Sequence, residues 1–267
     1  MSKLTKQEAA SHEQAVELLT KDVLTFDERL FVLDHWREDA THINSVAGAF
    51  FTPSALARSL AVEVSGRKCI DLCAGIGALA FAVYYNGFRM STAVPPEIVC
   101  VEINPDYAAV GRKVLPEATW IVADVLDLPE NLAGFDCAIS NPPFGRIKQP
   151  GRGPRYFGSE FEFKVVDVAS DRAEYGVFLL PQNSVPFKLS GIRCFEKTMP
   201  EKYAKFTEQT QITLAPNCGI DTTICVKEDG WHGVSIVTEI AVADFDEAAE
   251  KRQPQEELQP QFDLFAA

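Results

Sequence analysis

Short apolar runs alternate with amphipathic stretches through the middle of the chain. Residues 68–72, 98–103, 119–123, 135–140 and 175–180 are compact hydrophobic runs, each ending near a polar or turn residue, and they predict five buried strands. Between them, 79–85 and 160–168 carry helical periodicity. This alternation predicts an α/β fold built on a mostly parallel sheet. Residues 5–21, 26–38 and 54–62 predict helices ahead of the first strand, with Asp27 as the cap of the second. Residues 206–214, 222–227 and 234–245 predict three further strands, the last two paired as an antiparallel edge hairpin across 228–233. No internal repeat is visible.

Polar residues at the strand ends turn this pattern into candidate chemistry. The first strand runs into Asp71-Leu72-Cys73-Ala74-Gly75-Ile76-Gly77. Glycines there let the backbone approach a ligand, and the helix that follows points its N-terminus at it. Two glycines alone fall short of the full dinucleotide fingerprint. The second strand ends in Glu102, suited to the hydroxyls of a ribose, and the third in Asp124, suited to an adenine amine. The fourth ends in Ser140-Asn141-Pro142-Pro143-Phe144.

That last segment fits a planar nitrogen. An exocyclic amine on an aromatic ring is a poor nucleophile, because its lone pair is delocalised. Hydrogen bonds from its N–H groups to the Asn141 side-chain oxygen and the Pro142 carbonyl oxygen counter the delocalisation. Two prolines stiffen the turn, and Phe144 offers a face for a flipped base. A plain Pro-Pro turn with Phe144 in the core is the bland alternative, and the upstream glycine turn weighs against it.

Together these motifs resemble the S-adenosylmethionine-dependent methyltransferases of the Rossmann-like class I fold. More narrowly, they are similar to the amino-methyltransferases that make N6-methyladenine in DNA. The resemblance covers about residues 48–185 and places the cofactor motif before the catalytic one. It implies S-adenosylmethionine contacts from Phe51, Thr52, Asp71, Cys73, Ala74, Gly75, Gly77, Glu102, Ile103, Asp124, Val125 and Asn141. Of these, Phe51 and Thr52 belong to a Phe-x-Thr-Pro segment that helps hold the methionine end. It also implies catalysis by Asn141, Pro142, Pro143 and Phe144, with no metal. Cys73 and Ala74 depart from the small or acidic residues common in that turn.

Composition bounds the partners. The 267 residues carry 38 acids against 25 Lys and Arg, a formal net charge of −13. Such a chain repels phosphates at long range. The loop after the catalytic turn is locally basic, however, and Arg146, Lys148, Arg152 and Arg155 are candidates to hold DNA phosphates. A second basic cluster comprises Lys188, Arg193, Lys197, Lys202 and Lys205. Seven scattered cysteines without a C-x-x-C pair read as reduced thiols, and four histidines show no ligand spacing. With no apolar run of membrane-spanning length, the expected setting is cytoplasmic.

The expected organisation is an N-terminal helical segment over 1–47, a methyltransferase domain over 48–243 and a disordered acidic tail over 244–267. Within that tail, Gln261, Leu264 and Phe265 resemble the peptide by which bacterial proteins bind the sliding clamp. The small region left for target recognition implies a short or relaxed site. Three other readings stay open: an RNA adenine or guanine methyltransferase, a protein glutamine methyltransferase, and a non-catalytic binding module.

Overall fold

The computed structural model describes residues 5–37, 50–90, 94–145, 147, 151–229 and 236–253. Two helices, α1 (Lys6–Leu18) and α2 (Phe26–His35), open the chain. Each starts with a capping box, Thr5 with Glu8 and Thr25 with Glu28. Thr25, not Asp27, therefore caps α2. Asp27 lies in its first turn, where a negative charge favours the helix dipole.

The sheet is built from β1 (Lys68–Leu72), β2 (Glu97–Glu102), β3 (Thr119–Val122), β4 (Phe135–Ser140), β5 (Ala173–Pro181), β8 (Ala215–Pro216) and β9 (Thr238–Asp244). Its order is β3-β2-β1-β4-β5-β9-β8, with β3 to β5 parallel and the β5–β9 and β9–β8 pairs antiparallel. The chain steps outward from β1 to β3, then returns to the other side of β1 as β4. The order thus reverses between β1 and β4, the place where open α/β sheets bind ligands at the carboxyl ends of their strands.

Alternation along the central strands divides the core into two layers. Ile70, Leu72, Ala138, Phe178 and Leu180 face one layer, and Cys69, Cys137, Ile139, Val177 and Leu179 the other. The second is covered by α3 (Ser54–Leu60) and α4 (Ala78–Met90), and by Tyr107 and Val114 of α5 (Pro105–Val114). The first is covered by α6 (Phe161–Ala169), α7 (Glu201–Thr210) and α9 (Phe245–Arg252). There the Phe163 and Phe206 rings stack at 4.6 Å, each fully buried. Burying one such ring contributes about 1.5–3 kcal/mol.

Helix α2 is fastened to this body by the Arg29 guanidinium, which donates to the Tyr85 hydroxyl at 2.9 Å and to both Glu117 oxygens at 2.8 and 2.9 Å. The Trp120 indole of β3 is clamped between elements. Its Nε1 donates to the Leu115 carbonyl at 3.1 Å, and a Cβ added at Gly111 would overlap its ring.

Four expectations are corrected after β5. Residues 201–210 form α7, not a strand, with Tyr203, Phe206 and Thr210 buried at helical spacing. Residues 222–229 form α8 (Thr222–Asp229), which packs on α3 through Ser59 and Cys225, Oγ to Sγ 3.2 Å. The antiparallel partner of β9 at the sheet edge is consequently β8, not a strand over 222–227. A separate small hairpin pairs β6 (Phe187–Lys188) with β7 (Glu196–Lys197). The segment read as disordered from 244 begins with α9, capped by the Asp244 carboxylate on the Glu247 N–H at 2.9 Å and seated by buried Phe245 and Ala248. Gln261, Leu264 and Phe265 lie outside the described residues. Among those described, no helix is long and apolar enough to cross a membrane.

Candidate active site

Between β1 and α4 the backbone turns through three left-handed residues, Cys73 (φ 68°), Gly75 (φ 58°) and Gly77 (φ 91°). For Cys73 this conformation costs roughly 1 kcal/mol, which the surrounding bonds must hold. Ala74 N–H donates to the Val101 carbonyl at 2.9 Å, and Gly77 N–H to the Ala74 carbonyl at 2.8 Å. Glycine suits position 75: its φ is left-handed, and a Cβ there would lie 3.0 Å from the Phe51 ring, so that ring would have to shift.

Two buried carboxylates flank this turn. Glu102 accepts from Gly75 N–H at 2.7 Å and from Asn104 N–H at 2.8 Å. Burial raises its pKa despite those bonds. Among the described residues, Asp71 accepts only from Ala80 N–H, through Oδ2 at 3.2 Å, and its buried Oδ1 has no partner. Burial, partly offset by that N–H, pushes its pKa up to about 8. Asp124 caps a short 3-10 turn through Leu126 N–H at 2.9 Å.

The turn expected to be catalytic, Asn141-Pro142-Pro143-Phe144, follows β4. The Ser140 hydroxyl donates to the Leu72 carbonyl, tying β4 to β1 where the two turns begin. The Asn141 Nδ2 donates to the Phe50 carbonyl and to Thr52 Oγ1, both at 2.9 Å. Both amide hydrogens are thereby used, and among the described residues the buried Asn141 Oδ1 is left as an acceptor without a partner. The far end of the turn is held by Glu162 Oε2, which accepts from Gly145 N–H at 2.8 Å, and by Phe161 N–H donating to the Gly145 carbonyl at 3.0 Å.

The two turns share a cavity of about 260 Å³. Of the residues expected at the site, Phe51, Cys73, Gly75, Glu102, Ile103, Asp124, Val125, Asn141 and Pro143 line it. Thr52, Asp71 and Ala74 line an adjoining recess that shares Phe51, Cys73, Gly75 and Asn141 with it. Gly77 lines neither and packs instead beside the Trp120 ring, 3.1 Å from where a Cβ would stand. Pro142 is buried, and Phe144 is half-buried and does not line the cavity.

Seven wall residues were not among those expected at the site: Phe50, Val101, Asn104, Tyr107, Ala123, Ile147 and Phe161. Tyr107 meets Phe51 edge-on at 5.1 Å, and Trp36 completes the cluster at 5.6 Å from Phe51 and 5.8 Å from Tyr107. Its signal was available, since Asn104 and Pro105 announce a helix start immediately before it.

Of the four basic residues expected to hold phosphates, Arg146 and Lys148 lie outside the described residues. Arg152 is exposed. Arg155 is committed elsewhere: its Nε donates to the buried Asp167 at 2.7 Å, Nη1 to Asp171 at 2.8 Å and Nη2 to Ser170 Oγ at 3.0 Å. It fastens the loop to α6, with its guanidinium engaged by acids of this chain rather than turned to solvent.

No protein-family model matches the sequence, and no curated protein matches it. Solved structures do resemble the fold. A class I S-adenosylmethionine-dependent methyltransferase from Listeria monocytogenes aligns with 90% of this chain and 81% of its own length, at 14% identity and a TM-score of 0.56. The modification subunit of a type I restriction enzyme from Vibrio vulnificus aligns with 83% of this chain at 14% identity and a TM-score of 0.54. This chain spans about half of that subunit's length, 50%. A type I restriction-modification methyltransferase subunit from Streptococcus thermophilus, 18% identical, gives a TM-score of 0.50 over 86% of this chain and 52% of its own. The chain has the Rossmann-like class I methyltransferase fold.

Proposed function

We propose that the protein transfers a methyl group from S-adenosylmethionine to the N6 amine of adenine in DNA, acting on a flipped base. The observation that carries this reading is the Asn141 amide, with both hydrogens held by Phe50 and Thr52 and Oδ1 left unpartnered. An acceptor fixed in this way is ready for an amine hydrogen, and it needs no reorganisation when the amine arrives.

The neighbouring residues fit the cofactor. The glycine turn leaves room that a Cβ at 75 would fill, and Asp71 keeps an unused acceptor in the recess. Glu102 has lone pairs beyond its two backbone bonds for ribose hydroxyls, and Asp124 faces the same cavity. Phe51, Ile103 and Val125 supply apolar walls. When bound, the cofactor supplies an electrophilic methyl group on a cationic sulfur. DNA is favoured as substrate by the narrower family resemblance, and two of the fold's neighbours are type I restriction modification subunits.

The test is Asn141→Ala. Transfer of labelled methyl to duplex DNA should fall about a hundredfold or more, as for loss of one preorganised polar group. Calorimetric cofactor binding should persist. Equal loss of both would defeat the assigned role, and label appearing in rRNA but not DNA would move the substrate.

A further inference from the structure

We infer that the β6–β7 hairpin and the segment leading into α7 form the arm that grips duplex DNA beside the catalytic turn. This inference rests on the adenine-in-DNA reading above. The arm leaves the carboxyl end of β5, the strand next to β4, so it emerges on the same edge of the sheet as Asn141.

A continuous set of bonds fixes it there. Glu162, which holds Gly145, also accepts from the Ser184 hydroxyl at 2.9 Å. Lys202 donates to Ser184 Oγ at 2.7 Å and to Asn183 Oδ1 at 3.0 Å. At the arm's base, the fully buried Glu239 accepts from Leu189 N–H, Ser190 N–H, the Ser190 hydroxyl and the Gln182 amide, all within 2.9 Å. The Phe187 ring is buried under the hairpin and stacks with Phe195 at 6.3 Å.

What this base presents to solvent suits a polyanion. Residues 187–205 carry five Lys and Arg against two Glu, in a chain whose net charge is −13. Lys202 is turned inward, whereas Arg193, Lys197 and Lys205 are exposed. Lys188 meets Glu196 at 3.6 Å, an exposed pair that a phosphate can displace at little cost. Between the charges stand two apolar side chains, Phe195 at 46% and Met199 at 69% exposure. Cations interleaved with an exposed aromatic ring are the recipe for holding phosphates while a ring or thioether meets the bases. The arm also supplies the cations that Arg155, spent within its own loop, does not.

The test measures duplex binding by fluorescence anisotropy in the full chain, without cofactor, between 0.05 and 0.3 M salt. In the double variant Arg193→Gln with Lys197→Gln, affinity should fall at least about tenfold at 0.15 M salt, and the log–log salt slope should shrink by about 1.8, or 0.9 per phosphate contact. Phe195→Ala should weaken binding by about fivefold or more with the slope unchanged, because stacking carries no counterion term. Cofactor binding, which the arm does not touch, should match the wild type in both variants. Wild-type affinity and slope in the double variant overturn the arm while leaving the Asn141 result untouched. Weakened binding to an rRNA fragment but not to duplex DNA overturns DNA as its partner.

Discussion

Buried carboxylates occur on both sides of the Asn141 turn, and Asp71 on one side is treated differently from Glu239 and Asp167 on the other. On the β5–β9 flank, Glu239 and Asp167 are saturated: Glu239 takes four donors, and Asp167 takes Arg155 N–H, Arg155 Nε and Tyr156 N–H. On the β1–β2 flank, Asp71 has a single backbone donor and a bare oxygen. Depth is the same, so burial does not distinguish them. A buried acid with both oxygens engaged organises the chain around it. One left short of partners is positioned for something the chain does not supply.

Substitution should break this contrast in order of size. Glu239→Ala should cost most, because it leaves several buried donors unpaired at about 1–3 kcal/mol each. A fall in Tm of about 10 °C or more, read by calorimetry, is expected for a loss of that size. Thr52→Val comes next and acts on activity. It removes one of the two acceptors holding the Asn141 amide, so kcat should fall about tenfold, the equivalent of one hydrogen bond. Thr52→Ser should restore the rate. A similar loss in both variants would mean that the hydroxyl does not orient Asn141.

Asp71→Asn should cost least stability, and its effect depends on pH. The folded pKa of Asp71 is raised from 3.8 to about 8, so its contribution to stability is present below 3.8 and is lost as pH climbs through about 8. Relative to wild type, the Asn variant should therefore gain stability from pH 5 to pH 8, read as a growing Tm difference. A difference independent of pH would show that Asp71 is ionised throughout. Cofactor affinity at pH 8 should meanwhile fall in this variant, opposite to its gain in stability.

The β1–β2 flank was legible in the sequence because its signals are local. Continuous apolar strands, glycines and strand-end acids each announce themselves within a few residues, and the parallel sheet adds only their juxtaposition. The other flank was misread where tertiary packing overrides propensity. Thr222, Ile224, Cys225 and Val226 favour a strand by residue type, yet they form a helix whose Thr222 hydroxyl donates to the Thr238 carbonyl at 2.6 Å. The signal missed was Asp221, whose carboxylate accepts from Thr223 N–H at 2.9 Å at the helix start. Phe206 likewise suggested a strand, although Tyr203, Phe206 and Thr210 recur at helical spacing. Neither the clamp on Asn141 nor the tie from Glu162 to Gly145 could be read in advance: the first joins segments 91 residues apart, and the second depends on how the loop after the turn returns to α6.

Two of the three tryptophans stand close to the site: Trp36 packs on the wall residue Phe51, and Trp120 lies beside Gly77 of the glycine turn. The molecule therefore carries its own optical probes. Excited near 295 nm, the protein should report a ligand settling into the glycine turn as a change in emission intensity or wavelength, with no dye attached. Trp120→Phe and Trp36→Phe would divide that signal between the turn and the aromatic wall, giving each its own binding isotherm.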